Sequence, residues 1–137
     1  MIIADTSALL ALIDSDDRHH RSVRALHEKS SSEWLLPWAV LPEVDYLLGA
    51  HVGRAAQEVF VGDLADGSLA VEWGEPSDLV RAAELCKAYR SMRLGLVDGV
   101  VAAVAERLHA RAIATLDLRH FAAIAIRGRP RLLPRDV

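Results

Sequence analysis

A chain of 137 residues is the length of one ordinary domain and can close one hydrophobic core. A single cysteine, Cys86, excludes an internal disulfide framework and a thiolate zinc cluster. No apolar run reaches the roughly 18 residues of a membrane span, and Asp5 breaks the N-terminal apolar run, so a soluble, cytoplasmic protein with no membrane association is expected.

Net charge is −3, but it is unevenly placed. Residues 1–106 hold 9 Lys and Arg against 17 Asp and Glu, whereas residues 107–137 hold 7 Arg against 2 Asp. An all-arginine basic set suits bidentate contact with phosphate, and equally an acidic protein partner.

"MIIAD" predicts a short buried strand, and "TSALLALI" (6–13) a helix that Thr6 or Ser7 can cap. A polar loop, "DSDDRHH", leads to an amphipathic helix over 21–32. "EWLLPW" (33–38) reads as a strand. "AVLPEVDYLLGA" (39–50) reads as a helix stopped at Gly49 or Gly53, with Pro42 tolerable only in its first turn. Residues 54–67 predict another helix, 68–73 a strand, and 77–92 a clearly amphipathic helix with Ser77 as its cap. A helix over 96–110, a strand over 112–117, a short helix over 118–124 and a final strand over 129–134 complete the chain. Strands alternating with helices argue for an α/β fold with a mainly parallel sheet of four or five strands and about six helices. No repeat or linker divides the chain, so residues 1–137 read as one domain.

The carboxylates carry the chemistry. Asp5 and Asp117 both close predicted strands, and ligands of open α/β sheets bind beyond the carboxyl ends of strands. Asp98 opens an apolar helix in "GLVDGVV", and Glu43 lies early in "LPEVDYLL". Taken singly, each acid has an ordinary explanation. Asp5 and Asp117 can cap helices, Asp98 can complement a helix dipole, and Glu43 can be a solvated helix residue. Helical phase does not separate Glu43 from its neighbour Asp45, since both fall at the edges of the apolar stripe. Taken together, carboxylates that converge repel and raise one another's pKa, so a fold keeps them cheaply only around a cation. Oxygen ligands of this kind favour Mg²⁺ or Mn²⁺.

Four stretches occur in a fixed order: "MIIADTSALLALID", "LPEVDYLL", "LGLVDGVVAAVAERLHARAIATLD" and "LRHF". With them the chain resembles the PIN-domain ribonucleases, and in particular the VapC-type toxins of toxin–antitoxin pairs, from residue 1 to about 134. The resemblance implies a PIN-like three-layer fold and an acidic set of Asp5, Glu43, Asp98 and Asp117 that is both catalytic and metal-ligating. It thereby prefers Glu43 over Asp45. It gives Thr6 and Ser7 a supporting role around the metal, with Thr115 as a similar candidate. It implies one or two Mg²⁺ or Mn²⁺ ions, an RNA substrate hydrolysed at its phosphodiester bonds, a cognate antitoxin protein and a homodimer.

No side chain reads as a required covalent nucleophile. Ser7 has no histidine beside it in sequence to act as base. Arg119 and His120, next to Asp117, are candidates for substrate contact. The other histidines read as surface residues, and Trp34, Trp38 and Trp73 as core or interface residues. A phosphoryl-accepting receiver fold fits poorly, because no second acid adjoins Asp5 and the last lysine is Lys87. The remaining alternatives are a PIN-like binding module with an inactive site, and a nuclease acting on DNA.

Overall fold

The computed structural model describes residues 1–137. Five short strands form the sheet: β1 (Ile2–Ala4), β2 (Trp34–Pro37), β3 (Val71–Glu72), β4 (Ala112–Ala114) and β5 (Arg131–Leu133). Their spatial order is β3-β2-β1-β4-β5, and every neighbouring pair is parallel. The expected mainly parallel sheet is therefore wholly parallel. All residues of β1 and β4 are buried, as strands covered on both faces require, which is why "IIA" and "AIA" carry no polar residue.

Seven helices cover the sheet: α1 (Thr6–Ile13), α2 (His20–Ser30), α3 (Val40–His51), α4 (Arg54–Ala65), α5 (Pro76–Ala88), α6 (Leu96–Arg107) and α7 (Leu118–Phe121). The chain steps from β1 through β2 to β3 in one direction, then crosses back to β4 and β5 in the other. Right-handed crossovers put the helices of the two halves on opposite faces. Contacts follow that division: α1 packs on α2 and α3, α3 on α4, and α5 on α6. The direction reverses between the neighbours β1 and β4. That reversal opens a crevice beyond their carboxyl ends, where open α/β sheets bind ligands.

Local differences from the sequence reading have clear causes. Helix α5 starts at Pro76, not after Ser77. Glu75 is the cap, and its backbone N–H donates to Asp78 Oδ2 at 2.9 Å in a capping box. Helix α3 runs through Gly49 and stops at Gly53, whose φ of 134° only glycine adopts readily. Pro42 falls in the first turn of α3, where no backbone donor is lost. Helix α6 ends at Arg107, and His109 turns the chain at φ 50°. The stretch expected as strand 112–117 pairs only to Ala114, because Thr115 and Asp117 turn into the crevice. His27, expected at the surface, is half-buried against the edge of the buried Trp34, their rings 4.9 Å apart.

Candidate active site

Asp5 follows β1 directly and occupies the cap position of α1, yet its carboxylate caps nothing. The two hydroxyls nearest it explain why. Ser7 Oγ donates to Asp5 Oδ2 at 3.2 Å, and Thr115 Oγ1 donates to the same oxygen at 2.8 Å. Each hydroxyl is in turn fixed as an acceptor by the chain leaving β4. The Leu116 N–H donates to Ser7 Oγ (2.9 Å) and the Asp117 N–H donates to Thr115 Oγ1 (2.9 Å). A hydroxyl has one proton: Thr115 gives its proton to Asp5, and Ser7 has Asp5 Oδ2 and, at 3.3 Å, Thr115 Oγ1 as acceptors for its own. Asp5 is thus held as an acceptor while only 4% exposed. Its pKa is raised to about 6, chiefly by burial and with a further contribution from the nearby Asp98 carboxylate, against the lowering effect of the Thr115 hydrogen bond.

Asp98 sits in the first turn of α6, which Gly95 begins. Its pKa is raised, first by burial, then by Asp117 and Glu43, while His120 opposes the shift. Asp98 therefore feels the charges of Asp5, Glu43 and Asp117 at once, and is the centre of the acidic set. Asp117 caps α7, accepting the His120 N–H at 3.2 Å. Its second oxygen lies 3.0 Å from His120 Nδ1, and Asp98 Oδ2 lies 3.3 Å from the same nitrogen. On the far side of the ring, Nε2 lies 3.0 Å from the Met92 carbonyl oxygen. Both ring nitrogens face oxygen acceptors, an arrangement that favours the protonated ring. Burial lowers the His120 pKa, but the Met92 carbonyl and the two carboxylates outweigh it and leave it raised.

Glu43 is exposed in the first turn of α3 and makes no hydrogen bond or ion pair. Asp45 is placed elsewhere. It lines a groove with Arg54, Gln57 and Glu58, and its carbonyl accepts from Gln57 Nε2 at 2.9 Å.

The donor set suits a hard divalent ion. Carboxylate oxygens of Asp98 and Asp117 lie within 4.8 Å of each other, with His120 Nδ1 beside both as their hydrogen-bond partner. Beside Asp5, Thr6 Oγ1 is the one buried side-chain polar atom in the molecule without a hydrogen-bond partner. A buried hydroxyl left unpaired is costly, and a water or an ion's hydration shell would satisfy it.

Residues 2–127 match the family model described as PIN domain. The chain belongs to the PIN-domain family. Ribonuclease VapC26 of Mycobacterium tuberculosis (strain ATCC 25618 / H37Rv) is 32% identical over 123 residues, 90% of this chain and 91% of that protein. This PIN domain is accordingly a VapC-family ribonuclease homologue. Among solved structures, VapC20 of M. tuberculosis, described as a sarcin–ricin-loop-cleaving toxin, superposes with a TM-score of 0.82 at 21% identity. That match covers 93% of this chain and 98% of VapC20. FitAcB from Neisseria gonorrhoeae gives a TM-score of 0.64 at 17% identity, covering 96% of each chain. Both share the α/β PIN fold.

Within this PIN domain, Asp98, Asp117 and His120 form the tight group, with Asp5 and Glu43 coupled to it through Asp98. Ser7 and Thr115 touch Asp5, whereas Arg119 is exposed and unpaired. Sequence reasoning missed the Met92 carbonyl and the backbone donors at 116 and 117. Backbone groups carry no residue-type signal, so nothing in the sequence marks them.

Proposed function

We propose that this chain is the toxin of a toxin–antitoxin pair, cutting RNA internally with one or two Mg²⁺ or Mn²⁺ ions. The observation that supports the reading is that Asp98, in the first turn of α6, lies near enough to feel the charges of three other carboxylates, Asp5 after β1, Glu43 in α3 and Asp117 before α7. Asp5, Asp98 and Asp117 would hold the ion, and Glu43 would complete the set. When bound, the ion supplies a Lewis acid for the phosphoryl oxygens and an acidified water.

The side chains then have separate tasks. Ser7 and Thr115 hold Asp5 in one orientation as an acceptor. Glu43 is the member of the set with no hydrogen bond or ion pair, so it is the carboxylate free to take a proton from the attacking water. His120 offsets part of the repulsion between Asp98 and Asp117, and keeps the α6 and α7 ends together. Thr6 supports the hydration of the site through its unpaired hydroxyl.

VapC26 is named a ribonuclease and VapC20 a toxin that cleaves the sarcin–ricin loop, which supports RNA as the substrate class here. An RNA loop with unstacked bases suits an open crevice of this kind. The same kinship supports a protein antitoxin, a homodimer and a cytoplasmic place of action for a single domain over residues 1–137. No helix is long and apolar enough to cross a membrane.

The test is cleavage of a mixed pool of structured RNAs by the purified chain. Cleavage is expected with Mg²⁺ or Mn²⁺, and is lost with chelator and in a folded Asp98→Asn variant. No cleavage together with no metal binding by calorimetry overturns the reading and favours a binding module. Equal cleavage of a DNA pool moves the substrate class to DNA.

A further inference from the structure

We propose that Arg90, Arg93 and Arg119 form a phosphate clamp on the rim of the carboxylate cluster, holding the RNA backbone beside the scissile bond. The inference rests on the ribonuclease reading and adds what grips the substrate. The need is electrostatic. A site built of four carboxylates in a chain of net charge −3 repels a polyanion, so nearby cations must hold it.

The arginines divide into two groups. Arg24, Arg54, Arg81, Arg107, Arg111 and Arg135 are engaged in ion pairs. Arg18 donates to His19 Nε2 at 3.1 Å. The guanidinium groups of Arg21, Arg90, Arg93, Arg119, Arg127, Arg129 and Arg131 make no ion pair and no hydrogen bond, and all are exposed; of these, Arg90, Arg93 and Arg119 lie on the two segments that His120 joins at the site.

Their placement is fixed by the backbone. Arg90 begins the 3-10 turn between α5 and α6, and Arg93 ends it in the left-handed conformation at φ 54°. That turn is pinned at three points. Cys86 Sγ donates to the Gly95 carbonyl (3.4 Å), Tyr89 Oη accepts the Ala125 N–H (2.9 Å), and the Met92 carbonyl accepts from His120 Nε2 (3.0 Å). The other nitrogen of His120 faces Asp98 and Asp117. One imidazole ring therefore separates the Met92 carbonyl from two site carboxylates. Arg93 follows Met92 directly, and Arg119 precedes His120 directly. The two segments that carry these three guanidiniums are joined at the site itself.

Free, exposed arginines, one of them (Arg93) held in a left-handed conformation that costs a non-glycine residue, are poor stability devices. They are good phosphate ligands, because a planar guanidinium binds phosphate in bidentate fashion and is never neutral.

The test is fluorescence anisotropy of a labelled single-stranded RNA with the full chain in chelator, across 50–300 mM KCl. Each lost phosphate contact lowers the slope of log Kd against log[salt] by about 0.7 for a single strand. Arg90→Gln with Arg93→Gln is expected to lower the slope by about 1.4, and Arg119→Gln by about 0.7. At low salt the double variant is expected to bind on the order of tenfold more weakly. Lysine at 90 and 93 is expected to keep the slope, and Arg24→Gln, already paired with Glu28, to leave it unchanged. Melting temperatures measured alongside identify any variant that misfolds, in which case the Arg119→Gln slope decides. An unchanged slope in the glutamine variants overturns the clamp and leaves these arginines to a protein partner. An equal loss in Arg24→Gln overturns it in favour of general charge. Wild-type cleavage with no slope change counts against the clamp alone, and the expected slope changes without any cleavage count against the nuclease reading alone.

Discussion

Thr115 donates its hydroxyl to the Asp5 carboxylate at 2.8 Å, across 110 residues of chain. The bond spans the reversal point of the sheet, between the ends of β1 and β4. It favours the charged form of a carboxyl that burial pushes toward neutrality. Removing it in Thr115→Val is expected to raise the Asp5 pKa further and weaken divalent binding most at acid pH. Calorimetric titration with Mn²⁺ at pH 6 and pH 8 checks this, and Thr115→Ser is expected to restore the wild-type difference.

Asp5 also makes the ion-free protein pH-sensitive. Its folded pKa is about 6, above the ordinary 3.8, so between those values the folded state binds more protons than the unfolded state. Stability in chelator therefore falls as pH rises through this window, by a few kcal/mol at most, since one pKa unit is worth about 1.4 kcal/mol. Asp5→Asn is expected to lose this slope and to melt higher than wild type at pH 7 in chelator, while losing RNA cleavage. Thermal melts of both proteins from pH 4 to pH 7 measure it, and a wild-type-minus-Asp5→Asn melting-point difference that does not fall over that range would contradict it.

Arg107 holds a carboxylate that the fold has buried. Its Nε and Nη2 lie 2.8 and 3.1 Å from the two oxygens of Asp78, which is 3% exposed, and Nη2 also reaches Glu72 at 2.8 Å. Arg107→Ala leaves the Asp78 charge unpaired and is expected to destabilise by about 3–5 kcal/mol. Replacing both members, Arg107→Met with Asp78→Leu, is expected to cost less than the single change. Urea unfolding of the three proteins gives the comparison.

Gly99, next to Asp98, lets α6 approach α5. A Cβ at this position would lie 3.1 Å from Ala82 Cβ and 3.2 Å from the Ala82 backbone. The backbone cannot swing aside as a side-chain end can, so Gly99→Ala is expected to cost about 1–3 kcal/mol. The displaced helix carries Asp98, so divalent affinity falls too. Gly62, whose Cβ position is open, is the control: Gly62→Ala is expected to be neutral or mildly stabilising.

Much of the acid placement was legible because residue type and strand end coincide. "IIAD" and "IATLD" put Asp5 and Asp117 just past apolar runs, where parallel strands end. The choice of Glu43 over Asp45 was not legible from periodicity. It turns on which side of α3 faces the crevice and which faces α4. The cap of α5 was misplaced because Glu75 and Asp78 form a reciprocal box, whereas Ser77 is a stronger single-residue signal.

By itself the sequence determined the alternating α/β pattern, the apolar central strands and the residue types of an oxygen-donor site. These follow from local periodicity and side-chain chemistry, which travel with the residues. Only the tertiary structure decided that the Ser7 and Thr115 hydroxyls converge on Asp5, that His120 bridges Asp98, Asp117 and the Met92 carbonyl, and which arginines stay unpaired. Those are relations between groups far apart in the chain. Backbone donors and sheet topology fix them, and neither is written in residue identity.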